Sequence, residues 1–158
     1  MAQLRKREYR RFFVAAVVFS LSAACEPKDD PAKATVEVWK SSTCQCCSKW
    51  VQYIRDNGFN VHVHTDSDLS PRRTALGVPP NLAACHTAQV GGYVIEGHVP
   101  VEDIRRLMAE KVSARGIAVP GMPIGSPGME DGSSREPFEV LLFDAQGSIR
   151  TFATHGNS

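Results

Sequence analysis

The chain has 158 residues, room for one domain of ordinary size behind a removable N-terminus. Its 42% hydrophobic and 22% charged residues describe a soluble globular chain rather than a disordered or fibrous one. A net charge of +1, with most of the clustered base in the first eleven residues, gives no case for a nucleic-acid-binding surface.

Residues 1–25 read as an export signal. Arg5, Lys6, Arg7, Arg10 and Arg11 form a basic start, and residues 12–21 are an apolar run too short to span a bilayer as a mature helix. Ser22-Ala23-Ala24 supplies the small residues of a cleavage site, which places the mature protein in the periplasm. Arg10-Arg11-Phe12-Phe13 resembles a twin-arginine export motif, with Tyr9 where Ser or Thr is usual. Cys25 resembles the lipidated cysteine of a bacterial lipoprotein, with Ser22 where that box prefers Leu; the free and the lipid-anchored forms both stay open. Residues 26–34 carry Pro, Lys and Asp without apolar periodicity and read as a flexible tether, so the working domain spans 35–158.

A short strand is predicted over 35–39. It runs into Ser41-Ser42-Thr43-Cys44-Gln45-Cys46-Cys47, where three of the five cysteines fall within four residues. A helix is expected over 48–57, with Cys47, Trp50, Val51 and Ile54 on its buried stripe and Asn57-Gly58 as its stop. Cys44 and Cys47 are three apart and so share a helix face. The free N–H groups and positive dipole end of a helix start favour thiolate, the form that binds metal or attacks disulfides. Cys44-x-x-Cys47 is also the spacing of a redox dithiol, but Cys46 is one thiol more than exchange requires and points to metal.

A half-buried strand is predicted over 59–65, with Phe59, Val61 and Val63 inward and Asn60, His62 and His64 outward. His62 and His64 are either solvent-facing strand residues or a two-imidazole metal site. A short helix starts at Ser70-Pro71 and ends before Gly77-Val78-Pro79-Pro80. Cys85 beside His86 sets a soft ligand next to a borderline one, in a stretch read as loop. A strand is expected over 90–96, then a turn holding His98, then an amphipathic helix over 101–115 closed by Gly116. Its stripe is Val101, Ile104, Leu107, Met108 and Val112, which makes Met108 core rather than ligand. Residues 119–130 form a Pro/Gly-punctuated loop bearing Met122 and Met129, whose thioethers are either soft Cu(I) ligands or apolar plugs. A hairpin closes the chain, with strands over 138–143 and 148–153.

The order strand, cysteine-tipped helix, strand, helix, Pro-containing loop, hairpin resembles a thioredoxin-like α/β domain: one domain with a mixed central sheet flanked by helices. Such folds place a cis-proline before a hairpin close to the helix-tip cysteines, a place open to Pro120 or Pro137. More narrowly, the chain resembles the exported CopG-type proteins associated with bacterial copper resistance. The motifs that carry this are Cys44-Gln45-Cys46-Cys47 with Trp50, Gly77-Val78-Pro79, Ala84-Cys85-His86-Thr87-Ala88, Gly92-Tyr93-Val94-Ile95-Glu96-Gly97-His98-Val99-Pro100, Val119-Pro120-Gly121-Met122-Pro123 and Gly125-Ser126-Pro127-Gly128-Met129-Glu130. Thr43 and Gln45 depart from the family's usual Pro and Gly in the cysteine loop, and neither removes a ligand. The resemblance implies copper at the clustered thiolates, as a multinuclear Cu(I) site with a part in interconverting Cu(I) and Cu(II). Its implied ligands are Cys44, Cys46, Cys47 and Cys85, then His98 and His86, then Met122 and Met129. Its implied partners are copper ions and periplasmic copper-handling or efflux proteins. Two other functions stay open: a thiol–disulfide oxidoreductase using Cys44 and Cys47, and a structural zinc site from Cys44, Cys47, Cys85 and His86.

Overall fold

The computed structural model describes residues 34–156. The export segment, Cys25 and all of the tether but Ala34 lie outside the described residues. Among those residues the elements run β1 (Thr35–Lys40), α1 (Gln45–Asp56), β2 (Asn60–Thr65), α2 (Ser70–Leu76), a 3₁₀ turn (Pro80–Leu82), β3 (His86–Val90), β4 (Tyr93–Glu96), α3 (Val101–Glu110), β5 (Gly116–Ala118), β6 (Phe138–Phe143) and β7 (Ile149–His155). The strands form one mixed sheet in the order β2-β1-β3-β4-β5-β6-β7. Strands β1 and β2 are parallel, β1 and β3 antiparallel, and β3 and β4 an antiparallel hairpin. The β2-β1-β3-β4 half, with α1 connecting its two parallel strands, is the arrangement that the thioredoxin-like order implies. Strands β5 to β7 extend it on the far side.

The sheet divides two apolar layers. Val36 and Val38 of β1 face Trp50, Val51 and Ile54 of α1 and Ile104 and Leu107 of α3. On the opposite face Trp39, Val94, Ala118 and Phe143 meet Leu69, Leu76, Val78 and Leu82 of the α2 region. Helix α1 buries Cys47, Trp50, Val51 and Ile54, the stripe that its sequence spacing predicts. Its first helical residue is Gln45, three residues earlier than expected, so the cysteines lie at its cap and in its first turn.

Several expectations are corrected. His86 to Val90 form a strand, not a loop, and the expected 90–96 strand is two strands joined through Gly91-Gly92. Helix α3 ends at Glu110, where Lys111 turns left-handed, and Gly116 opens β5 instead of closing the helix. Strand β2 is an edge strand in which Val61 is buried but Val63 is exposed. The Phe138–Phe143 hairpin forms as read, with its second strand reaching His155. The peptides at Pro120 and Pro137 are both trans. The hairpin that meets the cysteine helix is β3–β4 rather than β6–β7, and the residue leading into it is Cys85.

Candidate metal centre

Strand β1 delivers the chain to a tight turn in which the Lys40 ammonium donates to the carbonyls of Ser41 (2.9 Å) and Cys44 (3.5 Å). Cys44 is the N-cap of α1, with its sulfur accepting the N–H of Cys47 at 3.3 Å. The Cys44 sulfur does here what a Ser or Asp oxygen does at most helix starts: it satisfies one of the unpaired amides of the first turn. Cys44 and Cys47 are joined as a disulfide, and Cys46 and Cys85 are free. The Cys46 sulfur lies 3.4 Å from that of Cys44, so the first turn brings it inward despite its different helical angle.

Cys85 lies immediately before β3, whose first residue His86 pairs with Lys40 at the end of β1. The Cys85 sulfur and those of Cys44, Cys46 and Cys47 all lie within 4.8 Å of one another. Four sulfurs, three local and one from 38 residues downstream of Cys47, therefore meet at one helix tip. A second group shares Cys85: its sulfur and ring nitrogens of His86 and His98 also lie within 4.8 Å of one another, and Cys85 Sγ to His98 Nε2 is 3.2 Å. His86 stands outside the four-sulfur group, so the zinc quartet of Cys44, Cys47, Cys85 and His86 is not gathered as one set.

Both imidazoles are fully buried. His98 is oriented by a 2.8 Å contact from Nδ1 to the Pro127 carbonyl, which leaves Nε2 facing Cys85. His86 lies against the Trp50 indole (4.4 Å between centroids), and neither of its ring nitrogens has a hydrogen-bond partner. Burial holds both His86 and His98 below the usual imidazole range, with the His98 ring adding to the effect at His86. Both are thus neutral, the form in which imidazole binds metal. Burial, and then the neighbouring Cys46, push the Cys85 thiol up to about 11, so without metal it keeps its proton. A cation held by Cys85 and the imidazoles would supply the charge that this site lacks and would favour loss of that proton.

The Cys85 loop is clamped by groups the sequence reading passed over. Glu96, fully buried, accepts the Ala84 N–H at 2.7 Å, the Thr87 hydroxyl at 2.7 Å and the Arg73 guanidinium at 2.9 Å. Arg73 also donates to the Ala84 carbonyl. Both peptide groups of Ala84 are therefore fixed by one ion pair, directly before Cys85. Gly97, at φ +75°, is a place where a Cβ would fall 2.5 Å from the Val119 carbonyl oxygen, so only glycine lets His98 follow Glu96 so closely. The signal available in sequence was a charged residue, Glu96, inside an otherwise apolar strand.

The methionine loop reaches the site through its backbone. Gly128 sits so close to α1 that a Cβ would meet the Trp50 nitrogen at 2.8 Å and the Cys46 carbonyl oxygen at 3.0 Å. Met129 is half-buried and Met122 is exposed at 54%. His62 and His64 lie on β2, exposed and in contact with Glu37, outside both metal-ligand groups. No described helix is long and apolar enough to cross a membrane.

The chain resembles proteins already described. Residues 82–129, which hold Cys85, His86, His98 and the methionine loop, match a family described as a protein of unknown function, DUF411. None of the curated proteins matches. Two solved structures, form 1 and form 2 of the copper resistance protein copG, each align at 37% identity with a TM-score of 0.75. They cover 79% and 78% of this chain respectively, and 99% of each of those chains is matched.

Proposed function

The chain belongs to the copG family of copper resistance proteins, and from that premise we propose that it binds copper for copper resistance, holding Cu(I) on Cys44, Cys46, Cys47 and Cys85. The convergence of the Cys85 sulfur on the three helix-tip sulfurs carries this reading. Thiolates are soft and bridge Cu(I) ions, so four of them suit a multinuclear site. His98 and His86 supply nitrogen donors beside Cys85, and imidazole accepts Cu(II) as well. A mixed sulfur and nitrogen donor set supports interconversion of Cu(I) and Cu(II) in the same place. The unpartnered, buried nitrogens of His86 fit a cation better than they fit an apolar core. Met129, next to the Gly128 that packs on α1, and the exposed Met122 would be further soft donors. The export signal read from the N-terminal sequence supports a periplasmic place for this activity, where copper-handling or efflux proteins would exchange the metal. Anaerobic titration of the reduced protein with Cu(I) against a chromophoric chelator tests the reading. More than one equivalent is expected, and less than one overturns it. Metal content after growth in copper-supplemented and zinc-supplemented media separates copper from structural zinc.

The Cys44–Cys47 disulfide favours a second reading, thiol–disulfide exchange. Cys44, half-buried where Cys47 is fully buried, would attack a substrate disulfide as thiolate. Cys47 would then resolve the mixed disulfide, releasing the substrate as a dithiol and leaving the protein disulfide. Cys46 and Cys85 have no part in that cycle. Insulin reduction by the metal-free protein, abolished by Cys44→Ser and indifferent to Cys46→Ser, would favour exchange over copper binding.

A further inference from the structure

Away from the sulfur site, on the edge of the sheet, three potential ligands stand together on one face of neighbouring strands. Glu37 of β1 and His62 of β2 are paired in register, and His64 is two residues further along β2. The carboxylate is shared: Glu37 Oε1 lies 2.9 Å from His62 Nδ1, and Glu37 Oε2 lies 2.6 Å from His64 Nε2. Alternate residues of a strand are about 6.7 Å apart along it; the donor atoms of the three do not all fall within 4.8 Å of one another as they stand, and rotation of the exposed imidazoles would bring them onto a common ion. The edge position leaves the group open to solvent, with the His62 and His64 side chains 58% and 49% exposed. His64 is also held from behind: its ring stacks on Trp39 at 5.2 Å between centroids and 15° between planes, and the Arg72 guanidinium covers Trp39 at 4.4 Å. The chemistry differs from that of the helix tip. Two imidazoles and a carboxylate are borderline and hard donors without sulfur, which suit a divalent ion and suit Cu(I) poorly.

We propose that Glu37, His62 and His64 form a second, surface metal site for a divalent transition ion, with Cu(II) preferred in the usual order of affinities. One imidazole nitrogen from each histidine and one carboxylate oxygen supply three ligands, and solvent completes the coordination. The site stands whether or not the sulfur cluster holds copper, because it shares no residue with it.

Cu(II) titration of the full chain with its disulfide intact, read by electron paramagnetic resonance, tests this. One equivalent with nitrogen hyperfine structure is expected, and His62→Ala, His64→Ala and Glu37→Gln should each weaken it by about tenfold or more. Cu(I) uptake by the same reduced variants should be unchanged, which shows them folded and separates this site from the cluster. In the unaltered protein, substoichiometric Cu(II) should broaden the nuclear magnetic resonance signals of His62, His64 and the Trp39 indole before those of His86, His98 and Trp50. Equal Cu(II) affinity in His62→Ala/His64→Ala, or first broadening at His86 and His98, would overturn the proposal.

Discussion

His86 is a fully buried ring whose two nitrogens bond to nothing in the protein. A buried unpaired polar group costs about 1–3 kcal/mol, so the metal-free fold is the worse for keeping it. His86→Leu should raise the stability of metal-free protein by about that much in urea denaturation, while lowering Cu(I) affinity by about tenfold or more. Stability gained with affinity intact would show that His86 serves packing alone. Glu96 poses the opposite case. It ligates nothing, yet Ala84, Thr87 and Arg73 all donate to it. Glu96→Gln keeps the shape but turns one acceptor into a donor that faces other donors. Breaking this buried pair should cost about 3 kcal/mol of stability and loosen Cys85, so copper affinity falls although no ligand is altered. Cu(I) competition alongside denaturation checks both. The sulfur cluster was legible in the sequence: the motif singled out Cys44, Cys46, Cys47 and Cys85, and the fold brings their sulfurs within 4.8 Å of one another. The burial of His86 was not, because His86-Thr87-Ala88-Gln89-Val90 has little of the β-branched alternation that marks a strand.

At the scale of elements, long-range pairing overrode local pattern in two places. Strand β3 lies inside the sheet between its hairpin partner β4 and β1, and the pairing with β1 comes from far away in sequence. Strand β5 has three residues, parallel to β4, and begins at Gly116, which the local pattern marks as a helix stop. Helix α1 was readable because four apolar residues recur at helical spacing, and the β6–β7 hairpin because its turn chemistry is local. Asp144 makes that turn: one of its carboxylate oxygens accepts the N–H groups of Gln146 and Ser148, both at 2.9 Å. These bonds, with Ser148 first, hold its carboxyl below the usual carboxylate range. A depressed folded-state value means that the ionised group adds stability above its unfolded value, lost as pH falls through the folded one. Asp144→Ala should therefore lower Tm at neutral pH, and the gap to the unaltered protein should close as pH drops below about 4. A gap that persists at pH 2 would assign the loss to the turn backbone instead of the charge.

Taken whole, the molecule gathers four sulfurs in one place among the described residues. The α1 cap and first turn present three sulfurs, and the clamped loop before β3 presents the fourth. In the described state two of the four are spent on the Cys44–Cys47 bond, leaving Cys46 and Cys85 as thiols. A disulfide sulfur is a poor ligand beside a thiolate, so the oxidised protein offers Cu(I) two thiols and the nearby imidazoles. Reduction adds two electrons and two protons, and returns two more thiols to the same few ångströms. On the proposed reading, copper capacity follows redox state. Protein reduced with a phosphine and desalted anaerobically should bind at least twice the Cu(I) of protein kept as the disulfide, measured by chelator competition. Cys46→Ser should reduce the capacity of the reduced form, because the sulfur it removes lies 3.4 Å from Cys44. It should leave the oxidised form able to make its disulfide, as counted by thiol titration. Equal Cu(I) uptake in the two states would mean that Cys44 and Cys47 do not serve as ligands. The metal would then rest on Cys46, Cys85, His86 and His98 alone, with the disulfide as a fixed staple at the head of α1.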